Sequence, residues 1–118
     1  MNLKILSVKE KGDAIKEYVL LEVTGDCDVG CYGLADTTFV NEKAVSNRLR
    51  HFYWFPDRSV KKGDRVVLRT GKGKHDQYQD GAGRNVHRFY WGLDVPVWND
   101  TGDAAVLFEI KTWKFTTA

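Results

Sequence analysis

An antiparallel β-sandwich is the fold predicted for this chain, on three observations. Short runs alternate apolar and polar residues with the period of a strand, turns rich in Gly, Asn and Asp separate them, and hardly any stretch has helical periodicity. With 118 residues, no internal repeat and no linker or low-complexity stretch, residues 1–118 are expected to form a single domain. Aromatic residues make up 13% of the chain, which predicts a core built largely on rings.

The elements follow in order. LKILSV (3–8) is β-rich, and EKGD turns the chain after it. In EYVLLEV (17–23), Val19, Leu21 and Val23 point one way, and Leu20 and Glu22 the other. TGDCDVG (24–30) is a loop, and CYGLADTTFV (31–40) reads as one or two short strands, with Gly33 marking a bulge or a close approach. NEKAVSNRLR (41–50) fits either one or two helical turns capped by Asn41 or a surface loop. LRHFYWF (49–55) returns to strand character with Leu49, His51, Tyr53 and Phe55 on one face, and Pro56 and Asp57 end it. After the turn KKGD, RVVLRT (65–70) places Val66 and Leu68 inward and Arg65 and Arg69 outward. GKGKHDQYQDGAGRN (71–85) holds four glycines and no apolar run, and is expected as a long exposed loop. VHRFYWG, AAVLFEI and TWKFTT supply the last strands.

No apolar run approaches the roughly 20 residues a membrane-spanning helix needs. The residues before Lys9 are too few for the apolar core of a signal peptide, which leads to the expectation of a soluble, cytoplasmic protein. Cys27 and Cys31, spaced C-x3-C, are the only cysteines; the remaining ligands of a structural zinc would have to come from His51, His75 or His87, so free thiols are expected and no metal.

Charge is uneven. Arg58 to Gly92 holds nine bases against three acids, a net of +6, so the rest of a chain with total charge +2 carries −4. Lys72, Lys74, His75, Arg84, His87 and Arg88 lie on or beside the 71–85 loop with Tyr78 and Phe89 interleaved, a mixture that suits phosphates and bases. Lys72, Lys74, His75, Tyr78, Arg84 and Arg88 are therefore the candidate anion or nucleic-acid contacts. The alternative for the same residues is a solvated sheet face, since Asp76 and Asp80 interrupt the patch.

TGKGK (70–74) lacks the spacing and the following helix of a phosphate loop, and DQYQDGAG (76–83) lacks the alternating acids of a calcium loop. Neither a cofactor nor a metal is expected. Trp91 and Trp98 stand seven residues apart, followed by NDTG, with Asp94, Asp100 and Asp103 nearby. A catalytic site there would need an acid–base or metal partner, and the nearest histidine in sequence is His87. The structural alternative is a corner: two rings plug the edge between sheets, Asn99, Asp100, Thr101 and Gly102 form a tight turn, and Asp103 accepts backbone N–H bonds as the next strand starts. A small hydrolase using His75, His87 and Asp76 or Asp80 is a further reading of the same region.

Taken together, Phe55–Pro56, Lys62–Gly63, Thr70–Gly71–Gly73, Tyr90–Trp91–Gly92 and Trp98–Asn99–Gly102–Asp103 resemble the motif order of the lamin tail domain family, in the manner of a stand-alone bacterial member. The match covers 55–109 well and 3–40 loosely; residues 41–50 look like an insertion, 74–88 lengthen the middle loop, and IKTWKFTTA lacks the polar turn that precedes the last strand. The resemblance implies an immunoglobulin-like sandwich in which Trp91, Gly92, Trp98, Asn99, Gly102 and Asp103 are the structural signature. It also implies a non-catalytic interaction or tethering module that binds another protein through loops or a sheet edge. Because relatives accompany nuclease domains, nucleic-acid binding through 72–88 is the alternative. Nothing in the sequence sets the oligomeric state.

Overall fold

Alternating strands close into two sheets packed face to face, a β-sandwich. The computed structural model describes residues 1–41, 44–99 and 101–118, the side chains at 39 and 40 excepted. Its strands are β1 (Leu3–Lys9), β2 (Tyr18–Val23), β3 (Cys27–Asp28), β4 (Tyr32–Asn41), β5 (Ala44–Val45), β6 (His51–Trp54), β7 (Ser59–Val60), β8 (Arg65–Arg69), β9 (Asp76–Gln79), β10 (Asn85–Tyr90) and β11 (Asp103–Glu109), with one 3₁₀ turn at Val29–Cys31. No helix among the described residues is long and apolar enough to cross a membrane.

One sheet runs β1–β2–β8–β10–β9. Its pairs are antiparallel except β8 with β10, which run parallel with Val86 opposite Arg65 and Tyr90 opposite Arg69. The second sheet is centred on β4, flanked by β11 on one side and by β6 and the short β5 on the other. A two-stranded ribbon, β3 with β7, lies apart from both.

The core forms where the inner faces meet. Val19, Leu21 and Val23 of β2 and Val66 and Leu68 of β8 are buried as their alternation requires, and Phe89 of β10 joins them. Tyr32 and Leu34 of β4 meet this layer from the other sheet, with Phe55, Val97 and Trp98 in the same cluster. Each large apolar side chain removed from water contributes roughly 1.5–3 kcal/mol.

A buried carboxyl group joins three segments that alternation alone does not connect. Glu17 is fully buried just before β2. Its Oε1 accepts the Gly12 N–H at 3.1 Å, while Oε2 accepts the Thr70 hydroxyl and the N–H groups of Val97 at 2.8 Å and Trp98 at 3.4 Å. The turn before β2, the end of β8 and the strap that carries Trp98 are thereby held at one point.

Several expectations are refined or corrected. CYGLADTTFV is one long strand, and Gly33 marks a close approach: a Cβ there would sit 2.1 Å from the tip of the Phe52 ring. The 41–50 segment contains no helical turn in its described part; β5 folds back on β4, and the Thr37 hydroxyl donates to the carbonyls of Ser46 at 2.8 Å and Arg48 at 3.0 Å. Glu42 and Lys43 of that segment lie outside the described residues. Leu49, grouped with His51, Tyr53 and Phe55 on one face, lies outside the strand, which begins only at His51, and is exposed.

The expected loop 71–85 contains a strand: Asp80 accepts the N–H groups of Ala82 at 2.9 Å and Arg84 at 3.0 Å, and the resulting turn lays DQYQ against β10. Finally, TWKFTT forms no strand, and its residues are exposed.

Replacing Glu17 with Ala is expected to destabilise the fold by about 3 kcal/mol, because it leaves buried N–H and hydroxyl donors without an acceptor. Denaturant unfolding measures this, and an unchanged midpoint would show that the three segments hold without the carboxyl group.

Candidate functional site

Formation of β9 changes the meaning of the basic cluster. In the β9–β10 hairpin Arg88 faces Asp76 with both nitrogens of its fork, Nε lying 2.9 Å from Oδ1 and a terminal nitrogen bonded to Oδ2. The Arg84 Nε is 2.9 Å from Asp80, and the Lys72 ammonium is 3.0 Å from Asp94. The Arg88 guanidinium also lies 4.9 Å from the centre of the Tyr78 ring and 5.7 Å from that of Tyr90. His75 accepts the Tyr90 N–H through Nδ1 at 3.1 Å, and Lys74 beside it is exposed. Three of the cations proposed as phosphate contacts therefore already face carboxylates. Hydrogen bonding from Arg88 lowers the pKa of Asp76 against the opposing effect of partial burial, and Arg84 does the same for Asp80.

His87 differs from its expected place on an exposed loop. It is only 3% accessible and its Nε2 lies 2.8 Å from Asp64 Oδ2. Inward-facing alternation along β10 puts it there. The proposed triplet of His75, His87 and Asp76 or Asp80 is consequently not assembled: His87 pairs with Asp64 in the interior, while Asp76 and Asp80 pair with arginines.

At the corner, Trp98 is buried and Trp91 half-buried, their ring centres 6.4 Å apart. Trp91 also meets His51 edge-on at 6.1 Å and Tyr53 at 5.7 Å. Gly92 takes φ +86°, which an L side chain rarely adopts, and its N–H donates to Gly71 at 3.0 Å. Asn99 is exposed and Thr101 and Gly102 turn the chain into β11; Asp100 lies outside the described residues. Asp103, the first residue of β11, receives the Arg50 guanidinium at 3.4 Å.

One arrangement here was not anticipated. Asp36, buried in the middle of β4, accepts the His51 N–H at 2.7 Å and stands 3.0 Å from His51 Nδ1 with the same oxygen. This orients an imidazole, and among the described residues no hydroxyl or thiol is hydrogen-bonded to it. The available signal was an acid placed inside the apolar run of β4, opposite the HFYW strand.

The outer face of the β4 sheet is the other surface that stands out. Phe52 and Trp54, alternating with His51 and Tyr53, project outward and are both 42% accessible. Phe52 meets Phe108 at 5.8 Å above Gly33, the site of the close approach. Trp54 donates to the Gly30 carbonyl at 2.8 Å and meets Trp113 edge-on at 5.1 Å; Trp113 in turn lies 6.4 Å from Phe115. An open groove of about 580 Å³ runs between Trp54, Pro56, Asp57, Lys111 and Trp113. Cys31 lines it as a free, exposed thiol, while Cys27 is partly covered, and burial raises its thiol pKa.

No family model and no curated protein matches the chain.

The Asp76–Arg88 pair has a definite pH signature. Because the folded-state pKa of Asp76 is lowered below its ordinary value near 3.8, the pair's stabilisation is complete above that value and fades as pH falls through the folded pKa. Carboxyl NMR titration should show Asp76 titrating low in the wild type and moving upward in Arg88→Ala; an unmoved midpoint would remove the Arg88 interaction as the cause.

Proposed function

We infer that the chain is a non-catalytic interaction or tethering module of the immunoglobulin-like, lamin-tail kind, and that it binds another protein through the outer face of the β11–β4–β6 sheet. The observation that carries this reading is the run of exposed rings Phe52, Trp54, Trp113 and Phe115, two of them more than half accessible. Soluble domains seldom leave large contiguous aromatic surfaces uncovered, and aromatic anchors supply much of the energy at protein interfaces. The rim suits the same role, with Asp57 and Lys111 beside the groove. The motif order of the lamin tail domain gives independent support.

A photo-crosslinking side chain placed at position 52 in producing cells should yield discrete protein adducts, while the same group at position 20, on the opposite sheet, should yield none. Equal labelling from both positions, or no protein adducts from position 52, would sink this reading.

A second reading has one observation in its favour. The outer face of the five-stranded sheet has a cavity lined by Tyr18, Tyr78, Arg69, Leu20, Val67 and Val86, and next to it Arg88 lies near the rings of both Tyr78 and Tyr90. Rings and guanidinium groups of this kind bind single-stranded nucleic acid by stacking and charge. Against it, Glu22, Asp76 and Asp80 pair with Arg65, Arg88 and Arg84 on the same face. Fluorescence anisotropy with short labelled DNA at about 0.15 M salt should therefore give only weak, sequence-independent binding. Tight binding with a steep salt dependence that Arg69→Ala and Arg88→Ala flatten would make this the leading function.

A further inference from the structure

Residues 112–117, TWKFTT, have the pattern of a strand without a sheet to join. Trp113 and Phe115 alternate with Thr112, Lys114 and Thr116, and aromatic and β-branched residues are the types enriched in strands. All six are exposed, and among the described residues the last main-chain hydrogen bond of this region is from the Ile110 N–H to the Cys31 carbonyl at 2.7 Å. A complementary vacancy lies nearby. Strand β6 pairs with β4 alone among the described strands, which leaves its other edge without a strand partner among them, and Trp54, with its exposed ring, is the last residue of that strand. Within one chain Trp113 already meets Trp54 edge-on, ring centres 5.1 Å apart, so the two rings have faces that pack together.

We propose that the 112–117 segment of one copy adds as a strand to the open edge of β6 in a second copy, and reciprocally, so that the chain forms a two-fold dimer. The proposal rests on reading the Phe52–Trp54 face as an interaction surface and names its occupant. Area supports a second copy. From their accessibilities, the residues Phe52, Trp54, Trp113 and Phe115 expose on the order of 450 Å² of surface in one chain. A reciprocal exchange brings together about 900 Å² of it before main chain or aliphatic groups are added, against the roughly 1,000 Å² a stable interface requires. The patch is also self-complementary, because segment and edge belong to the same chain, which is the condition for a closed two-fold contact. Exchange keeps the Trp113–Trp54 contact between copies and adds main-chain pairing that the segment lacks within one copy.

Sedimentation equilibrium of the whole chain, from micromolar to submillimolar concentration, tests the proposal together with amide hydrogen exchange. The expected results are a dimer, protection of alternate amides within 112–117 that is lost on dilution, and a dissociation constant raised about tenfold or more by Trp113→Ser with Phe115→Ser. Since both rings are exposed in the single chain, the double variant should keep the wild-type thermal midpoint at dilutions where both proteins are monomeric. A chain that stays monomeric overturns the pairing, as does a dimer indifferent to both substitutions or one with unprotected 112–117 amides. Protein adducts from position 52 in a strictly monomeric chain would overturn this proposal and leave the broader interaction reading standing. Their absence would remove both.

Discussion

Glu17 sets the constraint on which the rest of the sandwich depends. A carboxyl group without solvent must have its acceptor capacity met, and here the donors come from a turn, a neighbouring strand end and a distant strap. Satisfying one side chain therefore fixes where Thr70 ends β8 and where Val97 and Trp98 cross the end of the core. Hydrophobic burial could tolerate small slides between these segments. A set of hydrogen bonds on two oxygens cannot, so the polar contact supplies registration that the apolar contacts do not.

The two sheets differ in how their outer faces are finished. On the five-stranded sheet, arginines lie over tyrosines and beside carboxylates, so that charge is largely neutralised and the rings are partly covered. On the β4 sheet no guanidinium among the described residues lies over Phe52 or Trp54, and Gly33 lets the Phe52 ring lie directly on the main chain. One face is complete within a single chain. The other still has apolar surface to bury, and that asymmetry is the physical basis of the functional reading.

Much of the architecture was legible because period-two alternation has a direct structural consequence. Val19, Leu21, Val23, Val66 and Leu68 could be placed inward from spacing alone, and all are buried. What escaped were features decided by a neighbour far away in sequence. DQYQ has one ring, Tyr78, but no apolar run to declare a strand, and becomes one as the DGAG turn brings β10 alongside; polar composition is also how sheets protect an edge. Glu17 reads as a surface acid until Val97 and Trp98 arrive, 80 and 81 positions later. The basic cluster was visible as composition, but its ion pairs depend on hairpin register, which turn geometry sets. TWKFTT misled in the opposite direction, since its alternation is real while no strand among the described residues pairs with it.

The pairing of β4 with β11 has a consequence for how the protein is made. Tyr32 and Glu109, joined through the tyrosine hydroxyl and opposite each other in the sheet, stand 77 positions apart. During synthesis β1 and β2 can meet as a hairpin early, whereas β4 must wait for almost the whole chain before one of its two edges is covered. Contacts of such long range close slowly, and an uncovered strand bearing Leu34 and Ala35 is the sort of surface on which nascent chains associate. Strand β6, only ten residues beyond the end of β4, then acts as an early guard on the opposite edge, halving the exposure while translation runs on.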